Sequence, residues 1–364
     1  MIMKILFYIN AIKDGGAERV MVNLAKYFSD TGCETILVTS FRDTWEYKVE
    51  GNVKRLSLEE KEIKQGKIKR NFSRIIKLRD ILKKENPDIA VSFMAEPNFR
   101  LLIASLGLNV KTIVSVRNDP NREYAGSIGK LVGKWILPLA DGCVFQTKEA
   151  QEWFPKRLQK KSTIIFNAVK EDFFHIARKP IEGEIVTCGR LEPQKNHKLL
   201  IDAFAEVAKA HPHARLKIYG EGSLRQTLQD QIDELGLQNK VFLMGATNDV
   251  DKVLQVADLF VLSSDYEGMP NALMEAMAAG VPCISTDCPC GGPRELLGSF
   301  SPEVLFKLND RENLYIKINK MLGDKELKNE KGAVCKKVAE GFKSNAVFKS
   351  WEKYFCLVLA KRGM

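Results

Sequence analysis

Glu267 and Glu275 bracket a short run, Gly268-Met269-Pro270-Asn271-Ala272-Leu273-Met274, whose residue types suit an anionic ligand that also carries hydroxyls. Gly268 lets backbone approach a ligand closely, and Pro270 takes a first-turn position where a missing N–H is tolerated. The amides of Asn271, Ala272 and Leu273 then lack helical partners and point outward, which favours a phosphate at that helix start. Glu275 lies among Leu273, Met274, Met277 and Ala278. If that surface is buried the carboxylate needs a partner, and a ligand hydroxyl satisfies it. The same spacing also fits a plain strand-to-helix crossover with two solvated glutamates, so this run alone leaves both readings open.

A second group of candidates is cationic. Gly189-Arg190-Leu191-Glu192-Pro193-Gln194-Lys195-Asn196 brings two cations toward one point ahead of a helix starting around Asn196. Arg190 and Lys195 suit a diphosphate, although a solvated loop would look the same. Smaller turns recur at Gly15-Gly16, Gly220-Glu221-Gly222, Gly245-Ala246-Thr247-Asn248 and Cys290-Gly291-Gly292-Pro293. None is a G-x-G-x-x-G fingerprint, which weakens a dehydrogenase reading.

Positioning such loops requires strands that end where they begin. Apolar runs predict strands at 4–9, 35–39, 89–93, 112–116, 142–145 and 162–166, and again at 184–188, 216–219, 241–244, 259–262 and 282–286, with helical stretches between. Strands alternating with helices imply parallel sheets covered on both faces, and ligands in such sheets sit beyond the carboxyl ends of the strands. A chain of 364 residues suits two domains. The connector 167–181 places their boundary near residue 180, and a last helix spans about 346–360.

Composition narrows the class. The 45% apolar content is that of a globular protein, and no apolar run reaches the ~18 residues of a membrane span. The 5–12 run reads as a strand rather than a signal peptide, so a cytoplasmic protein is expected. Eight scattered cysteines argue for reduced thiols, and Cys283, Cys288 and Cys290 lack a metal-ligand spacing. Net charge is +10, and the stretch from Lys54 to Lys84 holds 12 Lys/Arg against 4 Asp/Glu. An anionic surface is implied: nucleic acid, phosphate or acidic lipid.

Glu267 and Glu275, with seven residues between them in EGMPNALMEAMAAGVP, resemble the E-x7-E motif of retaining GT-B glycosyltransferases, the glycosyltransferase group 1 family. GGAE, GRLEPQKN, YGEGSLR, FLMGAT and EGMPNALME occur in that family's order and at the expected strand ends. The resemblance covers most of the chain and is strongest from 184 to 297. It implies an α/β GT-B fold, two Rossmann-like doubly wound domains with a cleft between them. The domains would be 1–180 on the acceptor side, 181–345 for the nucleotide sugar, and 346–364 as a helix crossing back. By the resemblance Glu267 contacts the donor sugar, Glu275 holds the ribose hydroxyls, and Arg190 and Lys195 neutralise the diphosphate. Gly15 and Gly16 lie over the donor phosphates, Gly220 and Gly245 approach nucleotide and base, and Gly268, Met269, Asn271, Ala272 and Leu273 complete the donor site.

Where many members carry a His after an N-domain strand, this sequence has Ser115-Val116-Arg117-Asn118-Asp119-Pro120. Arg117 is a candidate contact to the sugar or acceptor phosphate, or else an ion pair with Asp119. Between 67 and 82, Ile68, Phe72, Ile75, Ile76 and Leu82 fall on one helical face and Lys67, Arg70, Arg74 and Lys77 on another. That pattern suits anionic lipid or the diphosphate of a polyprenyl-linked acceptor, and also an ordinary surface helix.

The expectation is a retaining transferase that moves a hexose or N-acetylhexosamine from a nucleotide diphosphate sugar, a UDP-sugar, to a lipid-linked or oligosaccharide acceptor in bacterial surface glycan synthesis. It would be peripheral on the cytoplasmic face of the inner membrane and require no cofactor, since no Asp-x-Asp pair stands at a strand end to hold a metal. An epimerase or phosphorylase on the same fold is the alternative, and a nucleic-acid-binding protein a more distant one.

Overall fold

The protein is described by a computed structural model covering residues 2–13, 15–62 and 66–360; the side chain of Lys67 lies outside the described residues. The chain forms two units. The first holds a seven-stranded parallel sheet of β1 (Lys4–Ile9), β2 (Glu34–Thr39), β3 (Val53–Ser57), β4 (Ile89–Phe93), β5 (Lys111–Ser115), β6 (Gly142–Phe145) and β7 (Ser162–Ile164), in the order β3-β2-β1-β4-β5-β6-β7. The second is a six-stranded parallel sheet of β8 (Glu184–Cys188), β9 (Arg215–Tyr219), β10 (Val241–Gly245), β11 (Leu259–Leu262), β12 (Cys283–Thr286) and β13 (Leu305–Phe306), in the order β10-β9-β8-β11-β12-β13. Each is doubly wound, and its order reverses beside its first strand, between β1 and β4 and between β8 and β11. Central strands are continuous apolar runs because helices cover both faces; Ile5–Ile9 and Leu259–Val261 are fully buried.

Two strands escape the apolar-run criterion. β3 reads Val-Lys-Arg-Leu-Ser, an edge strand inside the basic stretch, and β13 is only two residues long. The connector also differs from expectation: the first unit ends at Asn167 and resumes at Val347, and Ala168–Ala346 is the second. Residues 168–181 join the second unit through Phe173 and Phe174, which are buried, and through backbone bonds of Val169 to Phe342, Lys179 to Gln255 and Ile181 to Val256. Those partners are remote in sequence, so a local reading sees only a linker.

In the first unit the Ser344–Ala360 helix stacks Phe355 on Phe28 and Trp351 on Phe93, at 4.9 and 5.8 Å between ring centroids. Its Tyr354 hydroxyl accepts from the Cys143 amide at 2.8 Å and donates to the Lys161 carbonyl at 2.5 Å.

The Lys67–Glu85 helix corrects two expectations. Leu78 and Leu82, with Ile75 and Ile81 beside them, form the inward face against Leu6, Tyr8 and Ile36, whereas Ile68, Phe72 and Ile76 are exposed, Ile68 by 88%. Arg74 does not face outward. It is buried in a two-pronged bond to Glu59, at 2.6 and 3.2 Å, with its guanidinium over the Phe41 ring. A buried guanidinium needs such a carboxylate partner, and Glu59, beyond the end of β3, supplies it.

Candidate active site

The site is built where the second sheet reverses. β8 and β11 are hydrogen-bonded neighbours there, and the segments leaving their carboxyl ends are 189–196 and 263–270. Lys195 Nζ donates to Glu267 Oε1 at 2.5 Å, and Ser264 Oγ donates to the same oxygen at 2.7 Å. The two loops are tied together on either side of this pair. The Asp265 amide donates to the Gln194 carbonyl at 2.8 Å, Gln194 Nε2 to the Tyr266 carbonyl at 2.9 Å, and Ser263 Oγ to the Lys195 carbonyl at 3.0 Å. Asn196 adopts φ 44°, which Asn tolerates better than most residues. Its Oδ1 caps the His197–Ala210 helix at the Leu199 amide, while Nδ2 donates to Asp265 at 2.7 Å.

Both carboxylates of the E-x7-E spacing are buried: Glu267 and Glu275 are each 6% exposed. Glu275 sits on the Asn271–Ala278 helix, whose first backbone bond is from the Met274 amide to the Pro270 carbonyl. The amides of Asn271, Ala272 and Leu273 therefore belong to the first turn of this helix, ahead of its first i→i−4 bond. Arg190 is exposed near the Glu192 carboxylate, which itself accepts from the amide and hydroxyl of Ser223. His197 was not singled out from the sequence. It is buried beneath this loop, and burial together with the Lys195 charge pushes its imidazole down to about 4, so it is neutral at physiological pH.

Close packing explains the glycines. A Cβ on Gly220 would overlap the Gly189 carbonyl, one on Gly222 the Leu191 backbone, and one on Gly292 the carbonyl oxygen of Gly268. The Gly220 amide also donates to the Gly245 carbonyl at 2.8 Å, which joins the turns after β9 and β10. Met269 is buried in the loop that Gly292 supports. Gly292→Ala is expected to lower stability by about 1–3 kcal/mol through overpacking against Gly268. Gly323→Ala, where an added Cβ meets nothing, is the control, with denaturant unfolding as the measurement.

The remaining candidates belong to the first unit. Gly15 precedes the Gly16–Asp30 helix after β1, and its missing Cβ makes room for the Glu18 carboxylate. Arg117 follows β5. It is buried, donates to Asn167 Oδ1 and lies over the Phe93 ring at 4.4 Å. Burial lowers its guanidinium to about 9 and raises the neighbouring Glu123 carboxyl to about 7. Asp119, the partner considered from the sequence, instead accepts from the Asn121 amide at 2.9 Å. Lys77 is exposed, and Arg70 is partly buried 3.9 Å from Glu62.

Two doubly wound parallel sheets of seven and six strands, flanked by helices, are the framework of the GT-B class of α/β proteins. The family model for glycosyl transferases group 1 matches residues 169–337, and that for Glycosyltransferase Family 4 matches 14–173. An uncharacterized glycosyltransferase of Methanocaldococcus jannaschii is 32% identical over 251 residues, and the match spans 62% of each chain. A Campylobacter jejuni alpha-1,4-N-acetyl-D-galactosaminyltransferase, named for an undecaprenol diphosphate-linked substrate, is 26% identical over 96% of this chain and 98% of its own. An Anabaena protein solved in complex with UDP and glucose superposes with a TM-score of 0.82 at 18% identity, covering 98% of this chain and 100% of that one. The two glycosyltransferase models together span residues 14–337, and the group 1 glycosyl transferase model lies on the second unit.

Proposed function

We propose that this protein is a retaining glycosyltransferase that moves a hexose or N-acetylhexosamine from a UDP-sugar to a lipid-linked or oligosaccharide acceptor. The observation that carries the reading is the meeting of Lys195 and Glu267 at the switch point, in loops that also carry Arg190 and lead into the first turn of the Asn271–Ala278 helix. Arg190, Lys195 and the amides of Asn271–Leu273 would offset the charge that grows on the departing diphosphate, where fixed donors act most strongly. In this reading these groups supply the stabilisation without a required metal. Glu275 would accept from the ribose hydroxyls, and Glu267 would orient the sugar. Gly15, Gly16 and Arg117 are proposed for the phosphates and the transferred sugar or acceptor.

The lipid-linked acceptor is supported by the Campylobacter relative's named substrate, and the uridine nucleotide by the Anabaena complex. No helix among the described residues is long and apolar enough to cross a membrane. A peripheral position on the cytoplasmic face of the inner membrane is supported by the exposed Ile68, Phe72 and Ile76 beside Lys77. Arg70 and Lys77, with Lys67, remain candidates for the acceptor diphosphate; Arg74 does not.

The test is incubation with a panel of UDP- and GDP-sugars, with and without polyprenyl diphosphate-linked glycans. Products are read by mass spectrometry and their anomeric configuration by NMR. Acceptor-dependent consumption of a UDP-sugar with retained configuration is expected. Equal consumption without acceptor would indicate an epimerase instead, and an inverted product would remove the retaining assignment.

A further inference from the structure

The 126–139 segment is helical throughout, as an α-helix over Gly126–Leu131, a wider turn over Val132–Ile136 and a tighter one over Leu137–Leu139. Gly129 and Gly133 let it lie close to the Tyr124 backbone and to the rings of Trp153 and Phe154. The outer face then carries Ile128, Leu131, Trp135 and Leu139, which are 80, 57, 53 and 51% exposed. Spacings of three, four and four residues put these side chains on one stripe.

Cations frame the stripe. Lys130 and Lys134 are exposed on the same helix, which contains no Asp or Glu. Arg157 packs over the Trp135 ring at 5.5 Å and donates to the carbonyls of Lys134 and Trp135, while Lys134 Nζ lies 5.4 Å from the same ring. A half-exposed Trp ringed by cations, beside bulky aliphatic residues, is the composition of an interfacial helix on anionic lipid.

A second stripe lies in the same helical layer. The Ala95–Ser105 helix packs against the Lys67–Glu85 helix on one side and against 132–139 on the other. Arg79 donates to the carbonyls of Ala104 and Leu106, and the exposed Leu106 lines one cleft with Leu139. Ile68, Phe72 and Ile76 thus stand on one flank of the Ala95–Ser105 helix and the Trp135 stripe on the other.

We propose that the Ile128–Leu131–Trp135–Leu139 stripe inserts into the interface of an anionic bilayer, so that the layer of helices, rather than the 67–85 helix alone, forms the membrane-docking face of the first unit. Lipid fits better than a second copy of the chain. A two-fold contact through this stripe would set Lys130, Lys134 and Arg157 against their own duplicates. The inference deepens the membrane-associated reading above, and it is independent of the transfer chemistry.

Flotation with vesicles of phosphatidylcholine, with and without phosphatidylglycerol, tests it without donor or acceptor. Wild-type protein should float with the anionic vesicles, less so as salt rises. The triple variant Ile128→Asn, Leu131→Asn, Trp135→Ser should bind at least about tenfold more weakly, since each side chain removes apolar area from the interface. Its melting temperature and UDP binding should match wild type, because these side chains are already exposed. Unchanged flotation of the triple variant overturns the proposal. So does a wild-type dimer that the same changes convert to monomer. If only Ile68→Asn, Phe72→Asn, Ile76→Asn abolishes flotation, the proposal fails while the peripheral membrane reading stands.

Discussion

Glu267→Gln is expected to lower the transfer rate by about 10²-fold with little change in stability or UDP affinity, because a small misplacement at the reacting centre has an effect of that order. Lys195 and Ser264 both donate to Oε1. An amide oxygen can still accept those two bonds, so the loop 263–270 should hold its shape. What changes is the second atom: a carboxylate Oε2 that accepts from a sugar hydroxyl becomes an amide that donates. Stopped-time assays with a lipid-linked acceptor, alongside thermal unfolding, measure both quantities. A rate within a few-fold of wild type would remove Glu267 from the sugar-orienting role.

Lys195→Met is expected to act differently, on binding first. Loss of a charged hydrogen bond to the distal phosphate should weaken UDP by about 1.5–3 kcal/mol, or roughly 10- to 150-fold, and UMP by less. The substitution also leaves the Glu267 carboxylate, 6% exposed, with Ser264 as its remaining donor, so stability should fall as well. These two consequences separate in the double variant. Lys195→Met with Glu267→Gln should recover stability, because no buried charge is then unpaired, but it should not recover UDP affinity. Calorimetric titration of the four proteins gives the cycle. Equal loss of UDP and UMP would place Lys195 off the distal phosphate, and recovery of affinity in the double variant would make it a structural partner of Glu267 only.

Chain order and apolar runs carried most of the architecture. Parallel strands buried on both faces are continuous apolar stretches, so eleven strands could be read locally, and the loops that follow them could be assigned to one end of each sheet. The place of the candidate loops was legible for the same reason, while the residue types alone left solvated loops open and the resemblance to the E-x7-E family singled out the site residues. Residues such as Arg190, Lys195 and Glu267 directly follow strands, and a strand fixes the place of what comes next.

Tertiary structure alone decided the rest, and in each case a partner distant in sequence is the cause. β3 is a strand because β2 pairs with it, despite its Lys and Arg. The connector 168–181 joins the second unit because Phe342, Gln255 and Val256 receive it. Periodicity placed Arg74 with the solvated cations of its helix, but Glu59 draws it inside and Ile68, Phe72 and Ile76 are left exposed. A wheel records which residues share a face, and only the neighbours determine which face is covered. The pairing of Lys195 with Glu267 has the same origin: each follows its own strand, and the reversal of strand order between β8 and β11 brings the two loops together.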